Sequence, residues 1–227
     1  MSGKFLVPWS SGKDSAWMLH VLRQERQWTV GGLLTTTNDA AGRVSMHAVR
    51  CELLAAQARA VGLPLIDVPL PFPCSNDDYE QRMARAVARA TGEGFTHVAF
   101  GDLFLEDVRH YRETRLRDSG LEPLFPLWHQ PTDRLARTMV AAGLRARLTC
   151  VDPTRLDRSF AGVQYDDHLL ARLPDDVDPC GERGEFHTFA YAGPMFPAPI
   201  DVDLGEVVER DGFVFADLSP RRQAPLS

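Results

Sequence analysis

The chain has 227 residues, 44% of them hydrophobic and 25% charged, with a formal charge of −6, the balance of an ordinary globular protein with ample core. Its arginines are scattered among acids, as Arg82, Arg85 and Arg89 are on one predicted helix, so there is no basic stripe of the kind that tracks a nucleic-acid backbone. No apolar run approaches the roughly 20 residues of a membrane span, and Phe5 to Trp9 is too short for a secretory core, so a cytoplasmic protein with Cys51, Cys74, Cys150 and Cys180 reduced is expected.

Phe5 to Val7 reads as a buried strand, followed by a small-residue loop and a helix from about Ser15 to Arg26. Thr29 to Thr36 is a second strand. A helix from about His47 follows and stops at Gly62-Leu63-Pro64. Leu65 to Val68 is a third strand, and Ser75-x-x-Asp78 has the form of a capping box for a helix reaching Thr91. Thr96 to Phe100 is a fourth strand ending at Gly101-Asp102, then a helix spans Leu105 to Asp118, with Glu122 to Trp128 extended. Strands alternating with helices of this length predict βαβ units, a parallel sheet covered on both faces: a three-layer αβα, Rossmann-like α/β fold.

Beyond Trp128 the pattern changes. A helix over Thr132 to Ala142, a strand over Ala146 to Val151 and a short helix over Asp166 to Leu173 precede a β-rich tail, Glu185 to Tyr191 and Val202 to Asp217, turned at Asp211-Gly212. The expected organisation is a nucleotide-binding domain over residues 1–128 and a smaller α+β substrate domain over 129–227.

The chemistry is concentrated in two places. Ser10-Ser11-Gly12-Lys13-Asp14-Ser15 leaves the first strand and opens the first helix, where open parallel sheets bind ligands. Backbone amides around Ser11-Gly12-Lys13 can form a nest, and the helix adds open donors and its dipole. Only two lysines stand against 23 arginines, so Lys13 points to a task suited to a compact ammonium. The loop lacks the Walker pattern. Asp14 and Asp102 each have two readings, a magnesium ligand or a helix cap. Thr35, at the end of the second strand, and Gly101 share the same sheet edge, and His47 is a candidate for the pocket wall. One of Arg109 and Arg112 is available to face phosphates.

The second place is Asp178 to Phe189, where Cys180, Glu182, Glu185, His187 and Thr188 crowd before and into a strand. Glu185, His187 and Phe189 share one strand face. An acid beside an imidazole can position an amine nucleophile or take its proton. A metal site of Cys180, Glu182 and His187, a nucleophilic Cys180, and a polar hairpin without chemistry are the rival readings.

The loop, Gly101-Asp102, EPLFPLW at 122–128, VDPTRLDRSFAG at 151–162 and CGERGEFHTF at 180–189 together resemble the diphthine–ammonia ligase family, within the adenine nucleotide alpha hydrolase-like, pyrophosphate-loop superfamily. The resemblance implies a five-stranded parallel sheet, a C-terminal domain carrying the GE-x-GE segment, and a cleft between them. It also implies an ATP- and magnesium-dependent, AMP-forming carbon–nitrogen ligase that adenylates a carboxylate and lets ammonia or an amine displace AMP. In that reading Ser10, Ser11, Gly12, Lys13, Asp14, Ser15, Thr35, Gly101 and Asp102 bind nucleotide. Asp14 and Asp102 hold the metal, and Lys13, Glu182, Glu185 and His187 are catalytic. Ser11 stands where the superfamily usually has glycine, and Cys180 and His187 depart from the form expected of the eukaryotic ligases. The arginine bias points to a GC-rich, bacterial source. An ATP-binding regulator and a pyrophosphate-loop tRNA-modifying enzyme are the alternative functions, nucleic acid being disfavoured by the acidic charge. A homodimer is left open.

Overall fold

The computed structural model describes residues 3–26, 28–45 and 48–221. Its first sheet is built on β1 (Lys4–Pro8), flanked by β2 (Thr29–Asn38) and β5 (His97–Ala99). Outside β2 lies β4 (Leu65–Leu70), and outside β5 lies β6 (Glu122–Leu124); all four pairings are parallel. The expected αβα architecture is present, with one addition. A two-residue strand, β3 (Arg43–Val44), folds back antiparallel on the end of β2.

Strand alternation divides the core. Phe5, Val7 and Leu33 face one side, packed by Met18, Leu19 and Leu22 of α1 (Lys13–Gln24) and Leu53 and Leu54 of α2 (Cys51–Val61). Leu6, Leu34 and Ile66 face the other, against Ala86 and Ala90 of α3 (Asn76–Gly92) and Leu116 of α4 (Glu106–Leu116). The capping box at Ser75 forms as predicted, its hydroxyl accepting from the Asp78 amide at 3.1 Å. The second helix starts at Cys51, later than the sequence suggested, because Ala48 adopts φ +54° and Arg50 is extended. His47 lies outside the described residues.

The remaining chain forms a second, antiparallel sheet centred on β7 (Arg145–Val151). It is paired by β8 (Gln164–Tyr165), β9 (Phe186–Ala192) and β11 (Phe213–Pro220), with β10 (Val202–Arg210) outermost against β11. Helix α5 (Thr132–Ala141) and the single-turn α6 (Asp167–Leu170) lie beside it. One apolar cluster runs without a break from Phe5 and Val7 through Met139 of α5 to Leu148, Phe189 and Val214. The two sheets therefore share a core. No described helix is long and apolar enough to cross a membrane.

Candidate active site

Trp9 to Gly12 turn the chain from β1 into α1. The turn needs a left-handed residue, and Ser11 supplies it with φ +69°. Serine there carries the Cβ penalty that glycine avoids, so the surroundings must hold it. They do so from three elements. The Ser11 carbonyl accepts from the Ala190 amide of β9 at 2.9 Å and from Gln57 Nε2 of α2 at 3.0 Å. The Lys13 amide donates to Thr188 Oγ1 of β9 at 3.1 Å. The helix N-cap, Gly12, makes no side-chain cap bond, so the first turn keeps donors for a ligand.

The loop opens on a cavity of about 430 Å³ between the two sheets. Ser10, Lys13, Asp14 and Ser15 line its floor, with Thr35 from β2 and Gly101 and Asp102 beyond β5. Gly101 packs close to the helix start: a Cβ there would stand 3.4 Å from the Asp14 carbonyl carbon. Met83 and Val87 of α3 and Leu116 of α4 make one wall apolar, while Glu182, His187 and Thr188 make the opposite wall polar. An apolar wing beside convergent polar groups suits a ligand with a flat apolar part and a charged part.

Lys13 is 1% exposed. Its ammonium contacts Asp14 Oδ2 at 2.9 Å and the Cys180 carbonyl, and lies 5.5 and 5.4 Å from the ring centres of Tyr165 and Phe186. Burial pushes its pKa down, but Asp14 above all, with smaller help from Cys180 and Glu182, outweighs that and holds it above the ordinary value. The Oδ1 atom of Asp14 is buried with no hydrogen-bond partner among the described residues.

The segment after Asp178 is arranged by two buried carboxylates. Asp178 Oδ1 accepts from the Cys180 amide at 2.8 Å, and its Oδ2 accepts from Thr132 Oγ1 at 2.7 Å. Glu185 accepts from the Asp178 and Arg183 amides at 3.1 and 2.9 Å. Glu182 projects differently. Its Oε1 accepts from the Leu103 amide at 2.7 Å, which joins this segment to the loop after β5. Burial, aided by Asp14 and Asp102, pushes the Glu182 carboxyl up to about 7 against the Leu103 bond. Burial pushes His187 down to about 4, so its imidazole is neutral near pH 7. The Cys180 thiol is pushed far up by burial, which keeps it protonated and a poor nucleophile.

Most residues singled out from the sequence meet at this cavity, but Ser11, Gly12, Glu185 and Arg109, which pairs with Glu113 at 2.7 Å, do not line it. Ser11 and Gly12 contribute backbone shape, and Glu185, fully buried, is engaged by loop amides. Asp102 is at the wall, but Arg112 of α4 holds it at 2.7 Å. Among the described residues no group of three or more His, Cys, Asp or Glu is placed to hold a metal, so the Cys180, Glu182 and His187 set forms no such site. Gln57 and Asp178 were not foreseen. Asp178 carries a sequence signal, an Asp two residues before the amide it caps; Gln57 sits in a helical run of Leu and Ala with nothing to distinguish it.

Residues 3–123 match the diphthamide synthase N-terminal domain, and residues 131–217 match the diphthamide synthase C-terminal domain. The chain is 28% identical over 158 residues to the diphthine–ammonia ligase of Mus musculus, covering 67% of this chain and 59% of that protein. It is 26% identical over 159 residues to the Homo sapiens diphthine–ammonia ligase, covering 64% and 57% respectively. With the Schizosaccharomyces pombe diphthine–ammonia ligase it shares 32% identity over 107 residues, 44% of this chain and 18% of that one. The chain thus matches less than two thirds of the length of these curated relatives.

Proposed function

The chain belongs to the diphthamide synthase family, and from that premise we propose that it is an ATP-dependent, amide-forming ligase of the diphthine–ammonia ligase kind. The observation that carries this reading is the convergence of residues 10–15 and residues 180–188, far apart in sequence, on the walls of one cavity. We assign nucleotide binding to residues 1–128 and acceptor binding to 129–227.

The loop donors, the open first turn of α1 and the Lys13 charge would receive the triphosphate, with the adenine against the apolar wall. A carboxylate oxygen of the acceptor attacks the α-phosphorus and pyrophosphate leaves. Fixed positive charge and amide donors stabilise the charge that builds on the phosphoryl oxygens. The nitrogen of ammonia or an amine then attacks the acyl carbon, AMP departs with the bonding pair, and the nitrogen loses a proton. Glu182, with a carboxyl near pKa 7, is matched to taking that proton. His187, neutral in this range, can orient the amine without repelling it. Magnesium fits the site: the unpartnered Oδ1 of Asp14 is a ready oxygen ligand, and Asp102 becomes a second if Arg112 yields it. Bound with nucleotide, the ion would neutralise phosphate charge. The acceptor is a small molecule or a protein side chain bearing a carboxylate, in a cytoplasmic setting; a bacterial source rests on the arginine bias alone.

The test is incubation with α-labelled ATP, an ammonium salt and candidate carboxylates. AMP, pyrophosphate and a new amide are expected, and Lys13→Ala should abolish AMP formation in a protein that still melts cooperatively. Release of ADP and phosphate overturns the ligase reading. A second reading, a nucleotide-binding regulator without turnover, is favoured by the sealing of Lys13 against the Cys180 carbonyl. Tight ATP binding with no AMP across the whole carboxylate series would select it.

A further inference from the structure

Gln57 is fully buried in the middle of α2, and each polar atom of its side chain is used. Oε1 accepts from the Trp9 indole at 2.8 Å, which fixes the orientation of the amide. Nε2 then has both hydrogens directed at carbonyls, Ser11 at 3.0 Å and Ala190 at 2.6 Å. These partners belong to two pieces of chain far apart in sequence: the turn of Trp9 to Gly12 after β1, and β9. A buried amide satisfied on all sides specifies geometry sharply, because any slip leaves a polar group without water or partner.

We propose that Gln57 is the positioning residue of the phosphate loop, holding the strained Ser11 peptide in register with β9 so that the donors after it face the nucleotide. It rests on the reading of this cavity as an ATP site. Gln57 does not line the cavity and touches no ligand itself; it acts through the Ser11 carbonyl. Its two Nε2 bonds run parallel to the direct bond from the Ala190 amide to Ser11. The turn is therefore held by the Gln57 side chain from α2 and by the Ala190 amide from the second sheet, and the same side chain ties the two together. Leucine at position 57 would leave the Trp9 indole N–H without its acceptor and strip a donor from each of the Ser11 and Ala190 carbonyls. Glutamate would set an ionised oxygen against a carbonyl, whereas its protonated form again has an O–H to donate.

The experiment measures ATP dissociation constants for the full chain, with magnesium, at pH 8 and pH 5.5. The wild type must bind for the test to apply: failure of the wild type overturns the ATP reading, not the role of Gln57 within it. With wild-type binding established, Gln57→Leu is expected to weaken affinity about 10- to 100-fold, the range set by stranded buried polar groups. Gln57→Glu should show a similar loss at pH 8 and recover most of it at pH 5.5. The ratio to wild type at each pH cancels the titration of Glu182 and Asp14, which both proteins share, and the groups that Gln57 touches do not titrate. A merely structural role would lower the melting midpoint without this pH-dependent recovery of affinity. Unchanged affinity in a folded Gln57→Leu, or a Gln57→Glu ratio that is the same at both pH values, overturns the proposal. If the leucine variant does not fold, the glutamate ratio decides alone.

Discussion

Ser11 shows how a single residue can matter through its backbone. Its φ of +69° costs a serine about 1–2 kcal/mol relative to the ordinary region, and its buried hydroxyl has no partner among the described residues. Ser11→Gly relieves both but gives the unfolded chain more freedom, so a net gain of up to about 1 kcal/mol is expected in denaturant melts. Because the hydroxyl does not line the cavity, ATP affinity should not change; a clear loss would place the Ser11 hydroxyl on the phosphates. Glu182 poses the reverse case. Its folded pKa near 7 lies above the ordinary 4.5, so its ionised form is disfavoured by folding. That cost is absent below about pH 4.5, grows as pH rises through 7 and is complete above it. Glu182→Gln should therefore raise the melting midpoint at pH 8 while removing the proposed proton acceptor and most of the turnover. Stability and activity move in opposite directions at this position.

At the level of elements, the segment from Asp178 to Glu185 behaves as a unit, fixed at both ends by carboxylates. Gly181 has φ +67°, and a Cβ there would lie 2.7 Å from the Phe186 carbonyl oxygen, so only glycine fits the turn. Glu185→Ala strands the Asp178 and Arg183 amides, at a cost of about 2–4 kcal/mol. Melting midpoint and turnover should fall together, in contrast to Glu182→Gln; unchanged stability would return Glu185 to a direct chemical role. Strand periodicity placed Glu185 and His187 on one face, and β9 does begin at Phe186. What periodicity could not show is that Glu185 precedes the regular strand, where its side chain turns back to the loop amides. The parallel sheet was legible because β1 and β4 are short, mostly apolar runs and β2 is rich in Val, Leu and Thr, each bounded by turn residues or followed by a helical pattern. The short β3 was not legible, since two residues carry no period. Nor was Gln57, whose role depends on partners from Trp9 and Ala190 that local pattern does not bring together.

Across the whole molecule the two sheets are joined by more than their shared core. Asp217 of β11 receives Arg43 from β3 at 2.9 Å and Arg50, before α2, at 2.6 Å. Hydrogen bonds from the two arginines hold the Asp217 carboxyl below the ordinary carboxylate range. The contribution is present at neutral pH and is lost as pH falls through that lowered value. These groups are partly exposed, so Asp217→Asn should cost only about 1 kcal/mol, and the difference from wild type should shrink with added salt. A difference independent of salt would argue against an ionic latch. The division of the chain between two sheets was legible in the change of pattern after Trp128; their mutual dependence was not, because it resides in contacts between distant residues. The bond between the Lys13 amide and Thr188 spans 175 positions of sequence. The shape of the loop between β1 and α1 therefore depends on β9, a strand of the second sheet. A chain cut before β9 would keep the loop's sequence but lose the Thr188 and Ala190 bonds that shape it, so on the proposed reading it should bind no ATP.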